Sequence, residues 1–122
     1  MSKVFTDVQV FMVAAEQTVS KNNDEQALLY HRLITEEYNE FCTARLENDD
    51  VETIDACFDM MWVIVGYMLS RGWDCERIWD EGALSNLRKI DTETRKVTKR
   101  EDGKILKPEG WQKPNFSKFI RQ

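Results

Sequence analysis

Between Glu36 and Asp59 the sequence puts acids where a helix should be apolar. A helix advances about 100° per residue. With Leu33 set at zero, Tyr30, Ile34, Phe41 and Ala44 fall between about 20° and 100°. Glu37 lies near ~40° and Glu40 near ~−20°, both within that stripe. On the next segment, with Trp62 at zero, Val51, Phe58, Val65, Gly66 and Leu69 cluster within about 60°. Asp55 falls near ~20° and Asp59 near ~60°, inside this stripe as well. A carboxylate facing an apolar environment must be paired, protonated or bound to a cation. A divalent metal is the simplest answer for four of them together.

A chain of 122 residues is expected to form one domain with one real core, 42% of it hydrophobic and 32% charged. The boundaries expected within it are a helical core over 1–92 and a hairpin with tail over 93–122. A net charge of −5 and a pI near 4.9 argue against nonspecific nucleic-acid or anionic-membrane binding. Cys42, Cys57 and Cys75 are odd in number, widely spaced and without a CxxC pair, which suits reduced cysteines in a cytoplasmic protein. The N-terminus lacks a long apolar stretch, so secretion is not expected. Met60–Leu69 is apolar throughout but spans only ten residues, too few to cross a bilayer.

The periodicity predicts an all-α fold. Val4, Phe5, Val8, Phe11, Met12, Ala15 and Val19 mark a first amphipathic helix ending near Ser20–Asp24. Asp24 is the expected cap of a second helix reaching about Glu47, and Asp49 or Asp50 that of a third reaching Arg71 and Gly72. The run MMWVIVGYML has no polar face, which points to burial on every side and, in part, to an oligomer interface. Asp74 is the expected cap of a fourth helix from Cys75 to about Ile90, burying Ile78, Trp79, Ala83, Leu87 and Ile90. Asp102-Gly103 between two short segments signals a type I′ β-hairpin. The tail beyond it, with Trp111 and Phe116 as anchors, reads as an irregular strap.

Glu37 and Glu40 are three residues apart, and Asp55 and Asp59 four, so each pair is adjacent on its helix surface. Two antiparallel helices would bring the pairs together across a seam. An all-oxygen donor set selects a hard cation, Mg²⁺ or Mn²⁺. Di-iron chemistry would need Glu-x-x-His pairs. The only histidine, His31, lies about 160° from Leu33, on the outer face. No D-x-D-x-D-G calcium loop occurs.

EEYNEF at 36–41, followed by DACFDMMWVIVGY at 55–67, resembles the all-α nucleoside triphosphate pyrophosphohydrolases. That superfamily comprises the MazG-like, phosphoribosyl-ATP pyrophosphohydrolase-like and dimeric dUTPase-like groups. Its pattern is EExxE, a gap, then ExxD leading into an apolar helix. Glu36, Glu37 and Glu40 match the first half. In the second half Ala56 stands three before Asp59, so Asp55 substitutes one turn earlier, while Glu52-x-x-Asp55 also satisfies the spacing. Either Glu52 or Asp55 completes the set.

The resemblance implies a four-to-five-helix bundle of the MazG type, oligomerising through its helices as a homodimer or homotetramer. It implies Mg²⁺-dependent cleavage between the α and β phosphates of a nucleoside triphosphate, releasing a nucleoside monophosphate and pyrophosphate. Glu37, Glu40, Asp55 and Asp59 would hold the metal, and Glu36, at the edge of the cluster, would orient or deprotonate water. Asn86 and Lys89 would meet the sugar or phosphates. Arg95, Lys96, Arg100 and Lys104 are candidates for neutralising pyrophosphate, although ordinary solvated hairpin charges also account for them. Gln17 and Phe11 would approach the base, Phe11 reading equally well as core. Two alternatives stay open: a non-catalytic helical module that binds nucleotides or partners, kept open by Ala56, and phosphoribosyl-ATP cleavage.

Overall fold

The computed structural model describes residues 2–120. Its elements follow in the order α1 (Lys3–Ala14), α2 (Asp24–Leu46), α3 (Asp50–Ser70) and α4 (Cys75–Leu87), with one 3₁₀ turn at Ser117–Phe119. Among the described residues there is no sheet. The chain divides into two compact units, Met1–Glu76 and Arg77–Gln122.

In the first unit α3 is the element on which both α1 and α2 pack. The connection between α2 and α3 follows from local chemistry. Asn48 takes a left-handed φ of 56°, which asparagine tolerates well. The amide of Asn48 then donates to the Arg45 carbonyl at 3.2 Å, and that of Asp49 to the Ala44 carbonyl at 3.0 Å. This pair of bonds satisfies carbonyls that the helix end would otherwise leave orphaned. Asp49 caps α3 directly, its carboxylate accepting from the Glu52 amide at 3.1 Å. So short a turn returns α3 alongside α2.

The core of this unit is Val8, Met12, Tyr30, Val63, Val65, Leu69 and Cys75. Gly66 lets the two long helices approach, because a Cβ there would lie 2.2–2.8 Å from the Tyr30 ring. A polar knot ties the α1–α2 loop to the end of α3. The Gln26 amide donates to Thr18 O at 2.7 Å and to the buried Ser70 hydroxyl at 2.8 Å, while Asn23 N donates to Ser70 O at 2.7 Å. By length and composition alone α3 is apolar enough to cross a membrane. Asp50, Glu52, Asp55 and Asp59 occupy its first half, where a bilayer would charge heavily for them.

Several expectations need correcting. The first helix stops at Ala14, well before Ser20: Glu16 turns left-handed at φ 60°, and Gln17 N donates to Met12 O at 2.9 Å. The cap of α2 is Asn23, not Asp24, with its side chain accepting from Gln26 N at 3.0 Å. The fourth helix ends at Leu87, and Trp79, Leu87 and Ile90 on its expected buried side are exposed. On α3 the stripe is buried at Val65, Gly66 and Leu69 but exposed at Val51 and Phe58.

The C-terminal β-hairpin is not formed as strands. One isolated antiparallel bridge joins Lys99 and Ile105. The turn is not type I′ either, since only Gly103, at φ 91°, has a positive φ within it. Gly103 N donates to Arg100 O at 2.8 Å, which gives a three-residue loop closing on a left-handed glycine. Few apolar side chains flank the turn, so longer strands would have nothing to bury.

In the second unit the tail is strapped to α4. Trp111 Nε1 donates to Ser85 O at 2.8 Å, the Ser85 hydroxyl to Gln112 O at 3.2 Å, and Asn115 N to Glu81 at 3.0 Å. Lys118 pairs with Glu81 at 3.3 Å.

Candidate functional site

The Asn48 turn sets the register of the acids. Glu37 lies eleven residues before Asn48 and Asp59 eleven after it, while Glu40 and Asp55 lie eight before and seven after. On antiparallel helices rising about 1.5 Å per residue, the pairs come level. Burial is uneven: Glu37 and Asp59 are half-buried, whereas Glu36, Glu40 and Asp55 are exposed. The acid face is therefore only partly covered and is not the dry stripe that the wheel implied.

The electrostatics record that proximity. The Glu37 carboxyl is pushed up from 4.5 to about 7, first by burial and then by the charges of Glu40 and Asp59. A carboxyl–carboxyl hydrogen bond with Glu40 and the charge of Asp55 add to the shift. Asp59 is also raised, by burial, by the charge of Asp55, by a hydrogen bond with Asp55 and by the charge of Glu40. Each of the four carboxyl groups thus appears among the causes for one of these two acids or is itself shifted.

Glu37 Oε2 is buried and has no hydrogen-bond partner. A buried oxygen of this kind, among three further carboxylates and without a nitrogen or sulfur donor, fits a hard divalent cation. Among the described residues no group of three or more acidic, histidine or cysteine side chains converges closely enough to hold a metal ion. The mutual repulsion of neighbouring carboxylates keeps them from converging, and carboxylate end torsions turn easily.

The other expected site residues are dispersed. Glu36 is exposed on α2, beside the cluster. Gln17 follows α1, its side-chain oxygen accepting from the Tyr30 hydroxyl at 2.6 Å. Asn86 and Lys89 lie in the second unit and bond each other at 3.0 Å, with Lys89 also 5.0 Å from the Trp111 ring centre. Arg100 makes a forked pair with Asp102 at 2.6 and 2.9 Å, and Lys104 stands across the same turn. The Arg100 guanidinium is thus committed locally, while Lys104 joins the turn through its backbone. His31 is exposed, as its wheel position predicted.

Sequence reasoning missed an aromatic cluster. The Phe11 and Trp62 rings meet edge to face at 5.5 Å, and Phe58 lies 5.8 Å from Trp62. Phe11 is 56% exposed and Phe58 57%, so Phe11 is not plain core. The available signal was the spacing of Phe58 and Trp62 on the acid-bearing face of α3.

Comparison with curated proteins returns no match. The family model described as phosphoribosyl-ATP pyrophosphohydrolase matches residues 9–86. This match takes in all four core acids and well over half of the chain, and the protein belongs to that family.

Proposed function

We propose that the protein is a Mg²⁺-dependent nucleoside triphosphate pyrophosphohydrolase that cleaves between the α and β phosphates. The observation that carries this reading is the orphaned, raised carboxyl of Glu37 facing Asp55 and Asp59 across the α2–α3 seam. The family is generally divalent-cation dependent. Glu37, Glu40, Asp55 and Asp59 would hold Mg²⁺, with Mn²⁺ a chemically equivalent occupant. Such a cation, when bound, neutralises phosphate charge and acidifies water.

The chain's own residues do the rest. Half-burial of Glu37 and Asp59 keeps bulk water from competing for the donor oxygens. Glu36, exposed at the rim, takes the proton of the attacking water. The water oxygen joins one phosphorus, and the bridging oxygen leaves with the other product. The products are a nucleoside monophosphate and pyrophosphate.

The test is pyrophosphate release with Mg²⁺ from a panel of nucleoside triphosphates. Phosphoribosyl-ATP belongs in the panel because the matched family bears that name. Turnover abolished by Glu40→Gln is expected. No turnover of any member, with wild type and variant alike, would sink the proposal in favour of a nucleotide-binding module. The same reading expects a cytoplasmic homodimer or homotetramer joined through apolar side chains such as Ile54, Met61 and Ile64, which are exposed in one chain. Sedimentation at the mass of one chain, 14.4 kDa, at every concentration would remove that part.

A further inference from the structure

The tip of the α2–α3 turn carries a patch in which the four core acids have no part. Among the described residues, Leu46 and Val51 are the two most exposed large apolar side chains, at 78% and 74%. They flank the turn, Leu46 closing α2 and Val51 standing in the first turn of α3. The charge around them is acidic: residues 45–52 hold four acids against Arg45 alone. The Asp49 carboxylate is engaged by the Glu52 amide, whereas Glu47 and Asp50 are exposed and, among the described residues, join no ion pair. The tip is an apolar centre with an anionic rim.

Around Gly103 the second unit presents the reverse. The isolated bridge sets Lys99 directly opposite Ile105, so their side chains share a side. The pairing continues where Leu106 N donates to Thr98 O at 2.8 Å, and the alternation of extended chain brings Lys107 to the side of Ile105. The Lys107 ammonium lies 5.1 Å from the centre of the half-buried Trp111 ring. Ile105 is exposed, and neither Lys99 nor Lys107 has a carboxylate partner among the described residues. This side of the turn is an apolar centre with a cationic rim.

We propose that the Lys99–Ile105–Lys107 side of this turn docks on the α2–α3 tip of a second copy of the chain. Charge complementarity selects the occupant, because each patch offers an apolar centre and the rim charge that the other lacks. Opposed rims of this kind speed encounter and fix register. The contact is heterologous, since a turn of one copy meets a tip of another, and that separates it from association through Ile54, Met61 and Ile64 of α3. The apolar centres are small, which puts the contact in the transient, concentration-dependent class. It requires neither nucleotide nor cation.

The experiment is sedimentation velocity of the full chain at rising concentration in about 0.1 M and about 1 M NaCl, where charges are screened beyond about 10 Å and about 3 Å. Two double variants reverse the rims, Glu47→Lys with Asp50→Lys at the tip and Lys99→Glu with Lys107→Glu at the turn. Unchanged far-UV circular dichroism confirms folding. High salt should weaken the self-association of the wild type about tenfold, and each variant alone should lose as much in low salt. Mixing the two variants should restore association, because opposite rims then meet between unlike copies and not between like ones. Association indifferent to salt and to both reversals overturns the docking and leaves the observed mass to the α3 face. A loss that mixing does not repair overturns it too, by removing the second copy from the contact. So does a wild type that stays at the mass of one chain at every concentration. Turnover has no part in the readout, so failure of the hydrolase reading leaves this result standing.

Discussion

At Glu37, burial and charge act in the same direction: both favour the proton. Its ordinary value is 4.5 and its folded value about 7, so between those limits the folded chain binds more proton than the unfolded chain. The stability this contributes is complete below about 4.5 and is lost as pH rises through about 7. Asp59 is raised too and adds in the same sense. Glu81, Asp91 and Asp102 are lowered by hydrogen bonds, so what they contribute disappears only on acidification below their ordinary values of 4.5, 3.8 and 3.8. The two windows do not overlap. Cation-free protein should therefore melt at progressively lower temperature from pH 5 to pH 8, and Glu37→Gln should flatten that decline. A wild-type melting temperature that rises across the range would contradict the assignment. The position of this residue was legible in the sequence because a wheel angle alone places Glu37 among apolar neighbours. Its partial exposure was not, because burial depends on how closely a second helix covers it.

Among the elements, the α2–α3 pair is the best encoded. Asn48 and Asp49 are residue types that end one helix and begin another, and the structure uses both in those roles. The end of α1 is poorly encoded. Glu16 turns left-handed where neither glycine nor asparagine announces it, and Val19 continues the apolar rhythm beyond the true end. The hairpin signal at Asp102-Gly103 predicted a turn correctly and strands wrongly, since turn chemistry does not supply the apolar faces that strands need. Gly66 carries a second constraint that no pattern advertises. The α2–α3 seam closes because the Tyr30 ring lies against bare backbone there, with its hydroxyl bonded to Gln17. Gly66→Ala must displace the ring or spread the helices. Overpacking of this kind costs about 1–3 kcal/mol, and loss of the buried Tyr30 hydrogen bond adds about 1 kcal/mol. Urea denaturation should read a fall of about 3 kcal/mol. A loss under about 0.5 kcal/mol would mean the seam is looser than drawn.

Across the whole molecule, charge is sharply divided. Residues 1–76 carry fifteen acids and five bases, a net of −10, while residues 77–122 carry seven acids and twelve bases, a net of +5. The overall −5 thus hides an acidic unit in which self-repulsion opposes folding. Any salt relieves such repulsion by screening, so a cation-induced rise in melting temperature proves nothing unless site binding is separated from screening. The two differ in form. Screening by NaCl changes gradually with ionic strength and survives the loss of one acid. Binding follows mass action, saturating in form and reaching about 2.7 kcal/mol at a hundredfold excess over Kd. At constant ionic strength, Mg²⁺ should raise the melting temperature along that curve, and more strongly at pH 8 than at pH 5, because the donors must first lose their protons. Asp59→Asn should abolish the Mg²⁺ response and leave the NaCl response intact. If both ions act alike on wild type and variant, the acids of α2 and α3 are a repulsive surface and not a site.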